Sequence, residues 1–413
     1  MYAAVLRTPY ALRTFAAALL GRMSYGTAPL SLMLAATSAT GSYAVAGTVM
    51  AVFGAASVVL SPLRALLIDR YGPGRALTPM ALLYAALLTA LAVVTWRPGT
   101  PVPLLAVLAL CAGAATPPLG PTMRAVWSGL LSDRRLLQRA YSLDGVAEEL
   151  LFVTGPLVVG LLVLIAPAAF GLAVSAGLVV VGTLVFVASP PVRAVVPHRA
   201  EGRRAAARAH VVRRLWRPVV VTFGVGLALG AVDLLVLAFA EERGTAEAAA
   251  WILAALSAGS AVGGLLNGAV DARGSDGSRL PLLACGLAAA LCGAALAPGL
   301  VTLALAAACV GLFVAPALAT AYLLANEAVD PAHRTQAGAW VNTAVNAGAS
   351  GGTAGAGVLV GHLPLPVCFV LAAAAPAAAA LMSARPRRGV PTRAVRQDAV
   401  APAPEEGADI AKA

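Results

Sequence analysis

Long apolar stretches alternate with short polar segments along most of the chain. A helix needs about 20 mostly apolar residues to cross the hydrocarbon core of a bilayer, and twelve stretches meet that requirement. The pattern therefore predicts an all-α integral membrane protein with twelve transmembrane helices. The first six are predicted at 11–37, 42–68, 76–96, 102–125, 140–166 and 168–189, and the second six at 218–240, 246–270, 279–298, 300–326, 335–361 and 365–384.

The polar segments divide the chain into four parts. Residues 1–189 form an N-terminal six-helix half and residues 218–384 a C-terminal six-helix half, with a basic linker at 190–217 between them. The linker holds eight arginines and one glutamate, and we interpret it as a cytoplasmic connection that helps to fix topology. Contact with anionic lipid is an alternative role. Residues 385–413 are rich in proline, alanine and charge and are predicted to be a disordered cytoplasmic tail.

Composition narrows the class of protein. Hydrophobic residues make up 60% of the 413 residues and charged residues only 11%, whereas a soluble protein is about 25% charged. The net charge of +11 does not indicate nucleic acid, because the arginines gather in short loops between apolar stretches. Arginine-rich short loops stay in the cytoplasm. We therefore expect a multi-pass protein of the cell (inner or plasma) membrane with both termini cytoplasmic.

The two halves repeat each other weakly. An aspartate stands three residues before a glycine after the second predicted helix (Asp69 and Gly72) and again after the eighth (Asp271 and Gly274). Polar pairs four residues apart also occur in corresponding helices, Asp144 and Glu148 in the fifth and Asn342 and Asn346 in the eleventh. Such internal symmetry is typical of transporters built from two repeats, with the binding site between them near the middle of the membrane.

The segment after the second predicted helix resembles a motif of the major facilitator superfamily of secondary transporters, usually written G-x-x-x-D-R-x-G-R-R. Asp69, Arg70 and Gly72 match it, Ala65 replaces the leading glycine, and Arg75 stands later than the arginines of the family. The resemblance implies two pseudo-symmetric six-helix bundles. It also implies a cytoplasmic latch, in which the aspartate binds a helix N-terminus or an arginine of the other half and favours the outward-facing state.

Two further regions can be compared with the exporter branch of the family. The fifth helix carries Gly155-Pro156, which resembles part of a glycine-rich stretch in drug-exporting antiporters, and we interpret these two residues as a hinge. The fourth helix has no arginine near its middle, where proton-coupled exporters often carry one. Arg124 comes later, close to the predicted cytoplasmic end, and Glu327 lies near the cytoplasmic end of the tenth helix. Both are candidate gating residues.

Ionisable residues inside the predicted helices are candidates for a transport pathway, since a charge at mid-membrane faces a partner or a cavity. At about 1.5 Å per residue, Arg22 lies roughly 16 Å from the cytoplasmic end of its helix, and Glu148 and Glu149 lie roughly 12–14 Å from theirs. This matching depth predicts an Arg22–Glu148 or an Arg22–Glu149 pair. The remaining carboxylate is a candidate proton carrier, and a purely structural ion pair is the alternative.

Four other polar residues belong to the predicted substrate and proton pathway. Asp233 lies roughly 22 Å into the seventh helix by the same rise per residue and is a candidate for substrate or proton binding, unless it simply reaches water on the outer side. Asp144 shares a helix face with Glu148. Asn342 and Asn346 could contact substrate or could serve as ordinary interhelical hydrogen-bonding groups.

No other chemistry is indicated by the sequence. The five cysteines lie singly in apolar stretches, the four histidines lack partners at metal-ligand spacing, and there is no GxxxxGK[ST] phosphate loop. We predict no cofactor, metal, nucleic-acid partner or enzymatic activity. We expect a monomeric secondary transporter that exports a small, drug-like or metabolite-like molecule in exchange for protons. The alternatives are an importer or uniporter, a membrane enzyme, and a non-transporting scaffold or scramblase.

Overall fold

The computed structural model describes residues 2–195, 204–269 and 276–384, and this part of the chain is helical without a β-strand. Twelve long elements follow one another. They are α1 (Ala11–Thr40), α2 (Tyr43–Val59 and Ser61–Tyr71), α3 (Pro73–Thr95), α4 (Val102–Ala115 and Leu119–Leu130), α5 (Arg134–Val163), α6 (Ala168–Ala188), α7 (Arg204–Glu241), α8 (Ala248–Ala269), α9 (Asp276–Ala294), α10 (Leu300–Glu327), α11 (Arg334–Val360) and α12 (Leu365–Ala384).

Most of these helices have the length and composition of membrane spans. Eight of them, α3 to α8 together with α10 and α12, pass both criteria alone, and the two parts of α2, bent by 42°, form a ninth span together. Within the described residues α1, α9 and α11 fall short. In α1 and α11 the reason is polar side chains that face a central cavity instead of lipid, including Arg22 and Asn342. The twelve-helix all-α fold predicted from the sequence is confirmed.

The same helix pairings occur in both halves. In the first half α1 packs on α5 and α6, α2 on α4, and α3 on α6. In the second half α7 packs on α11 and α12, α8 on α10, and α9 on α12, which is the same set displaced by six helices. The halves meet mainly where α5 contacts α8 and α10 and where α2 and α4 contact α11. A site between the two halves is therefore bounded by helices of both.

Two helix starts differ from the sequence prediction. α5 begins at Arg134, six residues before the predicted start, because the Asp133 side chain accepts hydrogen bonds from the backbone N–H groups of Arg135 (2.7 Å) and Leu136 (3.3 Å). α7 begins at Arg204, so part of the predicted linker is helical. The alanines and arginines there are good helix formers. The rest of the linker at 196–203, the repeated Asp-to-Gly spacing at 271–274 and the predicted disordered tail at 385–413 lie outside the described residues.

Glycines bring α1 into direct backbone contact with two neighbours. A Cβ atom on Gly155 of α5 would lie 2.4 Å from the backbone carbon of Gly26 in α1. A Cβ atom on Gly182 of α6 would lie 2.1 Å from the backbone nitrogen of Gly21. Small residues allow such close approach between membrane helices. α5 continues past Pro156 to Val163, so the predicted hinge lies within an uninterrupted helix that is packed tightly against α1.

Candidate functional site

Four charged side chains form a closed ring of alternating sign, which we call the charge quartet: Arg22, Arg124, Asp144 and Glu148. Arg22 binds both acids, with Nη1 2.7 Å from Oδ1 of Asp144 and Nη2 3.1 Å from Oε1 of Glu148. Arg124 also binds both, with Nε 2.8 Å from Oδ2 of Asp144 and Nη2 in contact with Oε2 of Glu148. Each carboxylate therefore lies between two guanidinium groups, and the ring has no net charge.

Three helices of the first half supply the quartet. Arg22 comes from α1, Arg124 from the second part of α4, and the two acids from successive turns of α5, where a spacing of four residues places them on one face. Arg22 is 1% exposed and Asp144 is fully buried, whereas the Glu148 side chain is 30% exposed and borders the cavity. Buried charges are tolerated when they are paired and hydrogen-bonded, and all four members of the quartet have such partners.

Arg124 also links the quartet to the second half of the chain. Its guanidinium carbon lies 3.8 Å from the centre of the Tyr322 ring on α10, a cation–π contact. The backbone carbonyl of Arg124 accepts a hydrogen bond of 3.1 Å from the hydroxyl of Tyr141 on α5. A movement of α10 relative to α4 would therefore disturb Arg124, which like Arg22 binds both acids of the quartet.

The ring differs from the pairing predicted from the sequence. Of the two alternatives, Arg22–Glu148 is present, while Glu149 is not a partner of Arg22. Asp144, placed in the pathway only as a neighbour of Glu148, binds Arg22 directly. Arg124, predicted near the cytoplasmic end of its helix, is buried and binds both acids, and α4 continues to Leu130, five residues past its predicted end. An arginine within an otherwise apolar stretch was the available signal.

Two other acids lie apart from the arginines. Glu149 is turned from the quartet towards the second half, where Oε1 accepts a hydrogen bond of 3.0 Å from the Ser260 hydroxyl on α8. Asp233 on α7 is exposed to the cavity. Among the described residues, neither carboxylate forms an ion pair. They differ in this respect from both acids of the quartet, although Glu149 is adjacent in sequence to one of them.

A central cavity with two lobes lies between the halves. The first lobe, of about 260 Å³, is bounded mainly by α1, α2 and α4. The second lobe, of about 320 Å³, is bounded by α5, α7, α8, α10 and α11, and it contains Glu149 and Asp233. Four residues line both lobes and mark their boundary: Glu148, Phe152, Asn342 and Asn346.

The halves are joined at one end of the bundle, where α5 and α11 begin and α2 and α10 end; we call it the arginine-rich end. The Asp69 carboxylate accepts a hydrogen bond of 2.9 Å from the backbone N–H of Gln336, in the first turn of α11. Arg134 binds Glu327 with Nε 2.6 Å from Oε1. Further bonds join the halves here, from Gln138 to the Asn267 carbonyl (2.7 Å), Arg139 to the Gly268 carbonyl (3.0 Å), and Arg334 to the Ser128 hydroxyl (3.2 Å).

Arg70, Gly72 and Arg75, the other residues of the predicted latch, form no hydrogen bond with the second half within the described residues. Arg70 lies over the ring of its neighbour Tyr71, 4.9 Å from the centroid, and Arg75 is exposed. Gly72 has a φ of 84°, a conformation that glycine adopts without strain, and it separates α2 from α3. Within the described part of the chain, no hydrogen bond joins the halves at the end opposite the arginine-rich one. The described hydrogen bonds between the halves therefore lie at the arginine-rich end and in the middle of the bundle.

Two bundles of six helices that enclose a charged cavity define the architecture of a secondary transporter. Residues 14–270 and 219–408 match the sequence profile of the Major Facilitator Superfamily, and the chain belongs to that family. No curated protein matches the chain in sequence.

Solved structures share this fold at low sequence identity. The human organic anion transporter MFSD10 (TETRAN) aligns with a TM-score of 0.70 at 15% identity, over 92% of this chain and 99% of that one. The E. coli fucose:proton symporter FucP aligns with a TM-score of 0.68 at 15% identity, over 92% and 98%. A bacterial homologue of the iron transporter ferroportin, in an outward-facing state, gives 0.70 at 14% identity, over 90% and 97%.

Proposed function

We propose that this protein is a proton-coupled exporter of a small, mainly apolar molecule and that it works as a monomer in the cell membrane by alternating access. The observation that carries the proposal is the contrast between the two kinds of buried acid. The quartet acids are each held by two arginines, whereas Glu149 and Asp233 line the cavity without an ion-pair partner among the described residues. Because no cation is bound to them, these two acids can take up and release a proton without breaking an ion pair, as a proton carrier requires.

The orientation follows from the distribution of arginines. Short arginine-rich loops remain in the cytoplasm, so we assign the arginine-rich end and both termini to that side. Because hydrogen bonds join the halves at that end and none of the described ones joins them at the other, we assign this conformation to the outward-facing state. Asp69, bound to the start of α11, then acts as a latch that must release before the cavity can open inwards.

The position of Glu149 links protonation to the movement of the halves. Glu149 belongs to α5 of the first half, and its hydrogen-bond donor Ser260 belongs to α8 of the second half. A charged carboxylate accepts such a bond more strongly than a neutral one. Protonation of Glu149 therefore weakens a contact between the halves, and Asp233 across the second lobe provides a second acceptor for the same proton.

Two features of the chain favour export of an apolar molecule. Gly155-Pro156 on α5 resembles part of the glycine-rich stretch in drug-exporting antiporters. The cavity wall is mainly apolar, with Phe152 and Tyr322 among its lining, and such a wall suits an apolar substrate. An importer would use the same cycle in reverse, and FucP, of the same fold, is a fucose:proton symporter.

A proton-flux measurement tests this proposal. The full-length protein is reconstituted into liposomes containing a pH-sensitive dye, and a panel of small aromatic solutes is added from outside. We expect at least one solute to move protons outwards through wild-type protein, as antiport requires. Movement of protons inwards with the solute would instead identify an importer, and solute flux without proton movement would exclude coupling.

Single variants then test which acid carries the proton. We expect Glu149→Gln to retain solute exchange between equal concentrations on both sides but to lose accumulation driven by a pH gradient. Glu241→Gln, at an exposed acid at the end of α7, is the matched control and should behave as wild type. If Glu149→Gln keeps full pH-driven accumulation, Asp233→Asn is the next variant, and retention by both would contradict the assignment.

A further inference from the structure

A third buried arginine lies in the first lobe of the cavity, apart from the charge quartet. Arg64, on the second part of α2, is 6% exposed and lines this lobe. Within the described residues, no carboxylate lies within ion-pair distance of its guanidinium. Buried arginines are usually paired with an acid, so the absence of one here calls for another source of stabilisation.

Part of that stabilisation comes from interrupted helices. Arg64 Nη1 donates to the carbonyls of Gly113 and Ala114, the latter at 2.9 Å, and these carbonyls lie at the end of the first part of α4. Its Nη2 donates to the carbonyl of Ser57, just before the bend in α2. Carbonyls at helix ends have no partner within the helix, and they carry partial negative charge. They orient the guanidinium but do not cancel its full charge.

The guanidinium retains capacity for another acceptor. A guanidinium has five N–H donors, and three hydrogen bonds to carbonyls account for three of them. The Nε–H is buried and has no hydrogen-bond partner among the described residues. The Nε–H and one Nη–H lie side by side on one edge of the group, which is the arrangement that binds a carboxylate with two parallel bonds.

The rest of the lobe favours an anion over a cation. Besides Arg64, the charged groups that line it are Arg22 and Glu148, which belong to the neutral quartet. The lobe therefore has an excess positive charge. The hydroxyl groups of Ser57, Ser61 and Tyr84 also line it and can donate hydrogen bonds, whereas those of Tyr25 and Thr116 donate to the carbonyls of Pro117 and Ala112. The second lobe differs in sign, because its unpaired charges are the carboxylates Glu149 and Asp233.

We propose that the first lobe is a subsite for an acidic group of the substrate, and that Arg64 binds this group, a carboxylate or an anion of similar shape. This inference rests on the proposed transport function and specifies its substrate class: an apolar body carrying one acidic group. Glu148, Phe152, Asn342 and Asn346, at the boundary between the lobes, then lie alongside the apolar body.

A pair of matched probes tests the subsite. Binding of 2-naphthylacetate and of the neutral 2-naphthylacetamide to the purified full-length protein is measured by isothermal titration calorimetry, without a pH gradient. We expect the wild type to bind the acid about ten-fold or more tightly than the amide, and Arg64→Gln to reduce this ratio to about one with little change for the amide. Arg97→Gln, which removes an exposed arginine outside the lobe, should leave the ratio unchanged.

A second pair of variants keeps Arg64 and its bonds at the helix breaks, in case Arg64→Gln does not fold. Ser61 lines the same lobe three residues before Arg64, so the two side chains are neighbours on the helix. Ser61→Asp places a carboxylate beside the guanidinium and should abolish the preference for the acid. Ser61→Asn has nearly the same size without the charge and should retain the preference.

Equal wild-type affinity for the two probes would overturn the subsite, and so would an unchanged ratio in folded Arg64→Gln or in Ser61→Asp. These measurements involve no transport. A protein that prefers the acid but moves no protons would contradict the proposed coupling alone, whereas proton-coupled flux without any preference for the acid would contradict the subsite alone.

Discussion

The Asp69 carboxylate and the backbone N–H of Gln336 are 2.9 Å apart, although 267 residues separate them in sequence. The aspartate lies in the last turn of α2 in the first half, and the amide lies in the first turn of α11 in the second half. A carboxylate at a helix N-terminus satisfies a free N–H and interacts favourably with the helix dipole. One side chain therefore holds the ends of two helices together at the arginine-rich end.

We expect Asp69→Asn to insert and fold but to slow transport about five- to a hundred-fold. Loss of the charge weakens the hydrogen bond by ~1–3 kcal/mol, which lowers the population of the outward-facing state correspondingly. The measurement is solute-driven proton flux at matched amounts of protein. Asp330→Asn, at an exposed acid near the same end, is the control. Wild-type turnover in Asp69→Asn would exclude a gating role.

The Arg134–Glu327 pair at the same end should contribute less than the Asp69–Gln336 contact to holding the two halves together. Its side chains are 45% and 39% exposed, and exposed ion pairs are worth about 0–1 kcal/mol. We therefore expect Glu327→Gln to change turnover by less than five-fold in the same assay. A loss as large as that of Asp69→Asn would show that Glu327 is a principal gate.

The charge quartet predicts a specific pattern of stability. Removing one acid leaves an arginine with an uncompensated buried charge, which costs about 3–5 kcal/mol. Glu148→Gln and Arg22→Gln should therefore each lower the temperature at which the detergent-solubilised protein loses its monodisperse elution peak. The double variant restores neutrality and should lose less stability than the sum of the single variants. Additive losses would mean that the two groups do not interact energetically.

The contact between α1 and α5 gives a prediction with an internal control. A Cβ atom at Gly155 would meet the backbone of Gly26 at 2.4 Å, whereas one at Gly160, on the same helix, meets nothing within 4 Å. Gly155→Ala should destabilise the protein by roughly 1–3 kcal/mol or more, as overpacking does. Gly160→Ala should be neutral or slightly stabilising, because alanine favours the helix by up to about 1 kcal/mol. Equal melting temperatures would contradict this packing.

Helix positions were predictable because the bilayer imposes a length on apolar segments. The twelfth helix, predicted at 365–384, is observed at Leu365–Ala384, and the sixth, predicted at 168–189, ends one residue earlier. Helix starts in polar sequence were not predictable in this way. Hydropathy does not register a cap such as Asp133, so the start of α5 was placed too late.

The candidate site was predictable only in part, for a related reason. Depth along a continuous helix placed Arg22 and Glu148 at the same level, and they are in contact. The predicted end of α4 at residue 125 placed Arg124 at a helix end, whereas α4 continues to Leu130 and Arg124 binds both acids of the quartet. Arg64 was not predicted to line the cavity, because hydropathy does not reveal the 42° bend between the two parts of α2.

The neutrality of the quartet has an electrical consequence. Moving one elementary charge across a membrane potential of 100 mV changes the free energy by about 2.3 kcal/mol, but two guanidinium groups and two carboxylates on the same half respond with no net force. Voltage therefore acts on the cycle through Arg64, Glu149, Asp233 and whatever charge the cargo carries. Arg64, Glu149 and Asp233 carry a net charge of about −1 in the empty transporter, which becomes about −2 with an acidic substrate on Arg64 and about 0 with a proton on Glu149. The substrate-loaded form should therefore respond to voltage more strongly than the protonated form.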